Sequence, residues 1–206
     1  MVQPNSISIL VKIFTKVLLY AITYAAVYYV AFIDASDGKI LVGNSVENYQ
    51  EGLLVLIALL STYGAWKIPR LRIFMVCLAG LAAASFFREL NNQLEEIFYK
   101  GFWIIPVALI IIPTLIYVGR HFKVFLLQVD SIYETFAFGV YITGFLVLHV
   151  FSRLFGANDI WKLAMKDNFI RDVARTSEET TELLGYSIMF LGTIELYRYG
   201  VTKLKI

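Results

Sequence analysis

Long apolar blocks separated by short polar stretches run along most of the chain. In a bilayer whose hydrocarbon core is about 30 Å thick, a helix of about 20 mostly apolar residues crosses once. The pattern therefore predicts an all-α fold, a polytopic transmembrane helical bundle of about six spans. The predicted blocks are Val17–Ile33, Gly52–Trp66, Ile73–Phe87, Gly101–Val118, Phe125–Phe151 and Glu179–Tyr199.

The stretch between Ser152 and Ser177 interrupts this apolar pattern. It is amphipathic and mixes Trp161 and Phe169 with alternating charges, which is typical of a helix lying on the membrane surface. We therefore expect an interfacial helix directly before the last span. No loop is long enough to hold a soluble domain, so residues 1–206 are predicted to form a single transmembrane domain.

Lysine and arginine are concentrated on one predicted side of the bundle. The loops on the opposite side are acidic or mixed. Because short cytoplasmic loops carry the excess of positive charge, we expect both termini to be cytoplasmic. The basic positions are Lys12, Lys16, Lys67, Arg70, Arg72, Arg120, Lys123, Arg198, Lys203 and Lys205. The acidic positions on the other side are Asp34, Asp37, Glu47, Glu51, Glu89, Glu95 and Glu96.

The overall composition supports a membrane protein. Hydrophobic residues make up 59% of the chain and charged residues only 17%, whereas about 25% charged residues is usual in soluble domains. A net charge of +2, without a basic tract interleaved with aromatics, argues against nucleic acid as a partner. Membrane lipids are the expected surroundings, and pairing with a second copy or with another membrane protein stays open.

Four short runs resemble sequences that recur in an uncharacterised group of bacterial multi-span inner-membrane proteins. The resemblance implies a bacterial inner (plasma) membrane location and brings no activity with it. The runs are FFREL (Phe86–Leu90), KGFW (Lys100–Trp103), FSRLFG (Phe151–Gly156) and EETTELLGY (Glu178–Tyr186).

Polar side chains lie within or beside the apolar blocks, toward the end of the bundle that is predicted to be outside. Their three- and four-residue spacings place them on shared helix faces. A charge inside hydrocarbon costs about 3 kcal/mol unless it is paired or solvated. We therefore expect an outward-facing acidic and arginine cluster that binds an ion or substrate, made of Arg88, Glu89, Asn92, Arg153, Glu178 and Glu182. The structural alternative is that these groups are solvated helix ends and that Arg153 reaches the lipid headgroups.

One histidine near this cluster raises the question of a metal. His149, Glu178 and Glu182 are candidate ligands for a divalent metal ion, since imidazole and carboxylate both bind such ions. No paired-histidine motif accompanies them, and no other cofactor is evident from the sequence.

Other features of the last two spans concern ion pairing and helix packing. Glu195 and Arg198 lie three positions apart near the inner end, and we expect them to form a local ion pair. The acidic residues toward the inner side are Asp130, Glu134 and Glu195. Together with the outer cluster, they would also serve as relay points for a proton or cation. Gly185 and Gly192 lie seven residues apart on one face, which predicts close packing against a neighbouring helix.

Three functions from different classes fit these observations. The first is a transporter or channel-like protein that handles protons or small cations, with Glu182 and Glu89 as ion-binding or proton-carrying groups. The second is a membrane-embedded, metal-dependent enzyme that acts on lipid at the outer leaflet and holds a phosphate headgroup with its arginines. The third is a non-catalytic subunit or scaffold in which the polar cluster joins helices.

Overall fold

Helices are the regular elements of the chain in a computed structural model that describes residues 6–36 and 44–204. The all-α prediction is confirmed, since these residues contain no strand. Asp37 and Lys205, which entered the topology prediction, lie outside the described residues. In chain order the α-helices are α1 (Ser6–Ser36), α2 (Asn44–Lys67), α3 (Arg72–Glu89), α4 (Asn91–Ile97), α5 (Ile104–Arg120), α6 (Phe122–Asp130), α7 (Phe136–Leu146), α8 (Ser152–Phe155), α9 (Asn158–Met165) and α10 (Arg171–Lys203).

Three stretches in the described ranges are long and apolar enough to cross a membrane, namely Ile9–Asp34, Pro69–Glu89 and Phe136–Phe155. A fourth results if α5 and α6, which meet at a bend of 83°, count as one span. Helices α2 and α10, predicted as the second and sixth spans, do not reach this apolar composition. A membrane protein is thus supported at this coarser level, and the count of six spans stays a prediction.

Helix α10 lies at the centre of the bundle, packed mainly against α7 and α2 and also touching α1 and α8. Its side chains Leu183, Tyr186, Leu191 and Leu196 are almost completely buried. Neighbouring helices cover several of its polar side chains, and the buried ones are Thr181, Glu182, Ser187, Thr193 and Glu195.

Small residues bring α7 and α10 into backbone contact. A Cβ atom added to Gly192 would lie 2.6 Å from the backbone nitrogen of Tyr141, and one added to Gly144 would lie 2.6 Å from that of Met189. Gly185 meets Leu148 in the same way, at 2.8 Å. The close packing predicted from Gly185 and Gly192 is therefore confirmed, and it sets the register between the two helices.

Several helices break where the hydropathy pattern is continuous. The predicted fifth span, Phe125–Phe151, is divided between α6 and α7, and the Thr135 side chain caps α7 by accepting a hydrogen bond from the Phe138 N–H at 3.2 Å. A π-helical turn, Val147–Phe151, joins α7 to α8. The region predicted as one interfacial helix contains α8 and α9, and α10 begins at Arg171, before the predicted start of the last span.

Candidate functional site

A polar cavity of about 610 Å³ opens at the end of the bundle where α3 ends and α10 begins. Four arginines line it, Arg88, Arg153, Arg171 and Arg175. Four glutamates line it as well, Glu89, Glu178, Glu179 and Glu182. The lining charges therefore balance, and Trp103, Asn91 and Asn158 add polar and aromatic surface.

Arg153 on α8 binds two carboxylates of α10 at once. Its guanidinium pairs with Glu178, and its Nη2 atom lies 3.0 Å from Oε1 of Glu182. Gly156 allows α8 to come this close, since a Cβ atom there would lie 2.5 Å from the Cβ of Glu178. The Glu182 side chain is only 10% exposed, against 53% for Arg153, so Glu182 is the deeper member of the group.

A second group joins α3 to α10 beside Glu182. Arg88 Nη2 lies 2.6 Å from Oε1 of Glu89, and the Tyr186 hydroxyl donates a hydrogen bond to the same oxygen at 2.7 Å. Tyr186 lies one helical turn beyond Glu182 and is 1% exposed. One carboxylate oxygen is thus held by a cation and by a buried phenol, which fixes the position of Glu89 on the cavity wall.

Helix α2 adds Gln50 and Glu47 beside an ion pair within α10. Arg175 Nε lies 2.7 Å from Oε1 of Glu179, and the Gln50 side chain donates to the Glu179 backbone carbonyl at 3.2 Å. Glu47 lies close to this pair. Its partial burial and the Glu179 carboxylate together raise the pKa of Glu47 above its usual range.

The structure brings most of the predicted site residues to the cavity but leaves out Asn92. Arg88, Glu89, Arg153, Glu178 and Glu182 all line it. Asn92 is exposed, and Asn91 lines the cavity instead. The sequence pattern continued helix three past Leu90, whereas in the structure α3 ends at Glu89 and α4 begins at Asn91.

The predicted metal site is not assembled. The described residues contain no group of three or more His, Cys, Asp or Glu side chains that could hold a metal ion. His149 lies in the π-helical turn, where it is exposed and packs against Phe145 with 4.5 Å between ring centroids. Since a π-turn changes the angular spacing of an α-helix, the four-residue interval from His149 to Arg153 no longer defines one face.

Sequence reasoning did not include several residues of the cavity. Arg171, Arg175 and Glu179 lie in the first turns of α10. The predicted last span began only at Glu179, and none of the three was included in the predicted cluster. Trp103 directly precedes α5, and Asn158 is the first residue of α9. The charge of Arg171 and Arg175 was a usable signal, whereas nothing in the local sequence indicates that Trp103 lines the cavity.

A second cavity, of about 400 Å³, lies at the opposite end of α10 between α1 and α7. It reaches Glu195, whose Oε2 lies 2.9 Å from Nζ of Lys16. The Tyr20 hydroxyl lies 3.5 Å from Oε1 of the same carboxylate. The predicted pairing with Arg198 is present at 3.9 Å, but the shorter contact comes from α1.

Comparison of the chain with protein-family models, with curated proteins and with solved structures found no match. The function is therefore argued from the geometry of the two cavities and the helix between them.

Proposed function

We propose that the protein carries protons or small cations across a bilayer, with Glu182 as the ion-binding or proton-carrying group of the outer cavity. The observation that supports this most is the arrangement of α10. One cavity lined by charged side chains lies toward each end of this helix, and each reaches a buried carboxylate, Glu182 or Glu195. These residues are 8% and 9% exposed.

The spacing of the two carboxylates suits a crossing. Glu195 follows Glu182 by 13 residues, which is roughly 20 Å at the helical rise of about 1.5 Å per residue. A hydrocarbon core is about 30 Å thick. Water-filled cavities at both ends would therefore leave a barrier thinner than the bilayer between one carboxylate and the other.

Because Arg153 pairs with two carboxylates, Glu182 stays available to exchange a proton or a cation. Arg153 divides one positive charge between Glu178 and Glu182, so this arginine alone does not neutralise both carboxylates. A buried acid that is held in this way is costly in a membrane and is a common sign of an ion pathway. In this proposal Arg153 modulates Glu182, Arg88 modulates Glu89, and Glu178 is the second acid bound by Arg153.

The membrane arrangement belongs to the same proposal. Six spans result if α2 and α10 cross the bilayer inside the bundle, where their polar groups are covered by neighbouring helices. Helices α4 and α9 then lie at the outer interface and α6 at the inner one, with both termini cytoplasmic. The resemblance noted above favours a bacterial inner membrane.

Ion flux in liposomes tests the proposal directly. The purified full chain is reconstituted in vesicles with a trapped pH dye or a trapped sodium dye, and a potassium gradient with valinomycin sets the voltage. We expect the wild type to carry one of these ions. Glu182→Gln should reduce its rate by about tenfold or more, because the amide cannot take up a proton or bind a cation.

Glu96→Gln is the matched control, because Glu96 is an exposed glutamate on α4 that does not line the cavity. Its flux should equal that of the wild type. Gel filtration of each variant reports whether it is still folded. Wild-type flux in a folded Glu182→Gln variant would contradict the proposal.

A lipid-acting enzyme is the second candidate, and one observation favours it. Arg171 lines the outer cavity, and no ion pair to it is found in the part of the chain that the structure describes. A free guanidinium suits a phosphate headgroup. This candidate predicts phospholipid turnover that Arg171→Gln abolishes. If neither flux nor turnover is found and a partner protein co-purifies, the scaffold hypothesis is favoured.

A further inference from the structure

The cavity that holds Glu195 carries more positive than negative charge. Its three basic and one acidic lining side chains are Lys16, Arg198, Lys203 and Glu195. The nearby Glu134 accepts a hydrogen bond from the Tyr133 hydroxyl at 2.8 Å and does not line the cavity. Positive charges are therefore in excess here, whereas the charges around the cavity that holds Glu182 balance.

Glu195 is in close contact with only one of these cations. Lys16 Nζ lies 2.9 Å from Oε2 of Glu195, but Arg198 Nη1 lies 3.9 Å from Oε1, which is too far for a hydrogen bond. No ion pair to Lys203 is found among the residues that the structure describes. Arg198 and Lys203 come from the last two turns of α10, and both are exposed. Two cations thus have N–H groups available to an anion.

A groove leads from this cavity between α1 and α7. Both helices pack on α10, but no extended contact joins them to each other in the described ranges. Their link at the cavity is a cation–π contact, with Lys16 Nζ 4.5 Å from the centroid of the Phe136 ring. The space between the two helices therefore has α10 as its floor.

The walls of this groove are apolar. Only 11% of the apolar stretch of α1, Ile9–Asp34, is buried in the bundle. On α7, Phe136 is exposed, and Val140 follows one turn later on the same face. Apolar surface of this kind favours an acyl chain and gives nothing to a free inorganic anion. The cavity and the groove together suit a ligand with a negative headgroup and a hydrocarbon tail.

We propose that the cavity and the groove bind an anionic phospholipid. Its phosphate contacts Arg198 and Lys203, and one acyl chain lies between α1 and α7. Basic pockets between membrane helices on the cytoplasmic side are known to bind anionic headgroups, and the six-span arrangement puts this end of α10 on that side. A zwitterionic lipid fits less well, because its choline adds a positive charge beside the two cations.

The lipid site goes beyond the proposed ion transport and does not depend on it. Lys16 and Glu195 stay paired while the phosphate binds the two exposed cations. The carboxylate at this end of α10 is therefore left in place. Binding of the lipid and flux of ions are separate measurements, and either can succeed when the other fails.

The test is native mass spectrometry of the full chain in detergent. The protein is titrated with phosphatidylglycerol, or with phosphatidylcholine of the same acyl chains. The variant combines Arg198→Gln with Lys203→Gln. The matched control combines Arg120→Gln with Lys67→Gln, since these two exposed cations lie on the same predicted side but do not line the cavity. Gel filtration checks that each protein is folded.

We expect the wild type to bind phosphatidylglycerol about tenfold more tightly than phosphatidylcholine. The Arg198→Gln and Lys203→Gln variant should lose this preference, and the control should keep it. Inorganic phosphate at the same concentration as the lipid should not displace it, because it lacks the acyl chain.

Three results would overturn the inference. Equal binding of the two lipids by the wild type would show that the excess charge does not select a headgroup. An equal loss in the variant and in the control would show general attraction to the basic side of the protein and no site at this cavity. Displacement by inorganic phosphate would show a site for a free anion.

Discussion

At the scale of single residues, the depth of each carboxylate matters more than its charge. Glu178 and Glu182 share Arg153, but the Glu178 side chain is 27% exposed and that of Glu182 is 10% exposed. Water can solvate Glu178 if the arginine moves, whereas Glu182 depends on its partner or on a proton. This difference is why Glu182, and not its neighbour, carries the proposed function.

Glu47 leads to a prediction about pH at this scale. Its folded-state pKa is raised above the ordinary 4.5 by burial and then by Glu179. The protonated form therefore stabilises the fold below about pH 4.5, and that contribution is lost as the pH rises through the folded-state pKa. Glu47→Gln should melt at a higher temperature than the wild type near neutral pH, and the difference should shrink as the pH falls.

The measurement is the melting temperature of both proteins in one detergent, from about pH 4 to pH 8. Glu96→Gln serves as the control, since this glutamate is exposed on α4. If the melting-temperature gain of Glu47→Gln instead increased toward acid pH, the pKa of Glu47 would be lowered in the folded protein. That result would show that the Glu47 carboxylate is held ionised.

At the scale of elements, backbone contact between α7 and α10 decides which side chains can meet. Glycines at the contact let Arg153, which follows α7 through the π-helical turn, reach the carboxylates of α10. The π-helical turn also places His149 against the ring of Phe145. Both effects depend on the register of two packed helices, and a hydropathy profile does not contain that register.

Gly192→Ala tests the close packing. The added Cβ would lie 2.6 Å from the Tyr141 backbone, so the helices must separate, and we expect a loss of about 2 kcal/mol of stability. Gly139→Ala on α7 is the matched control, because nothing lies within 4 Å of its added Cβ. Thermal melting in detergent compares the two, and equal melting temperatures would mean that α7 and α10 are not in backbone contact.

At the scale of the whole molecule, the membrane topology can be tested with single cysteines. Cys77 is the one native cysteine, so Cys77→Ser gives a clean background. In the six-span arrangement Lys162 lies outside and Lys123 inside, and both side chains are exposed. A thiol reagent that does not cross membranes should label Lys162→Cys in intact bacterial cells, and should label Lys123→Cys only after permeabilisation.

Labelling of Lys123→Cys in intact cells, without labelling of Lys162→Cys, would reverse the orientation. Labelling of both would show that the two positions lie on the same side and that α7 or its neighbours do not cross. Each outcome decides whether the cavity that holds Glu182 opens away from the cytoplasm, as the proposed function requires.

Local sequence was sufficient for the helical class and for much of the cavity that holds Glu182. Apolar blocks require helices, because a chain in hydrocarbon must satisfy its backbone hydrogen bonds within each segment. Arg88 and Glu89 are neighbours, and Glu178 and Glu182 lie one turn apart, so their grouping follows from helix geometry alone. These residues line the cavity for reasons that the sequence contains.

The sequence by itself thus determined that the chain is helical and which charged residues share a helix face. Tertiary structure alone decided which faces meet. Lys16 binds Glu195 although 179 residues separate them, Asn91 replaces Asn92 on the cavity wall, and His149 packs against Phe145 in a π-helical turn. The physical reason is that helix breaks and helix rotation depend on many weak packing contacts between distant segments, whereas hydropathy and spacing record only what lies within a few turns.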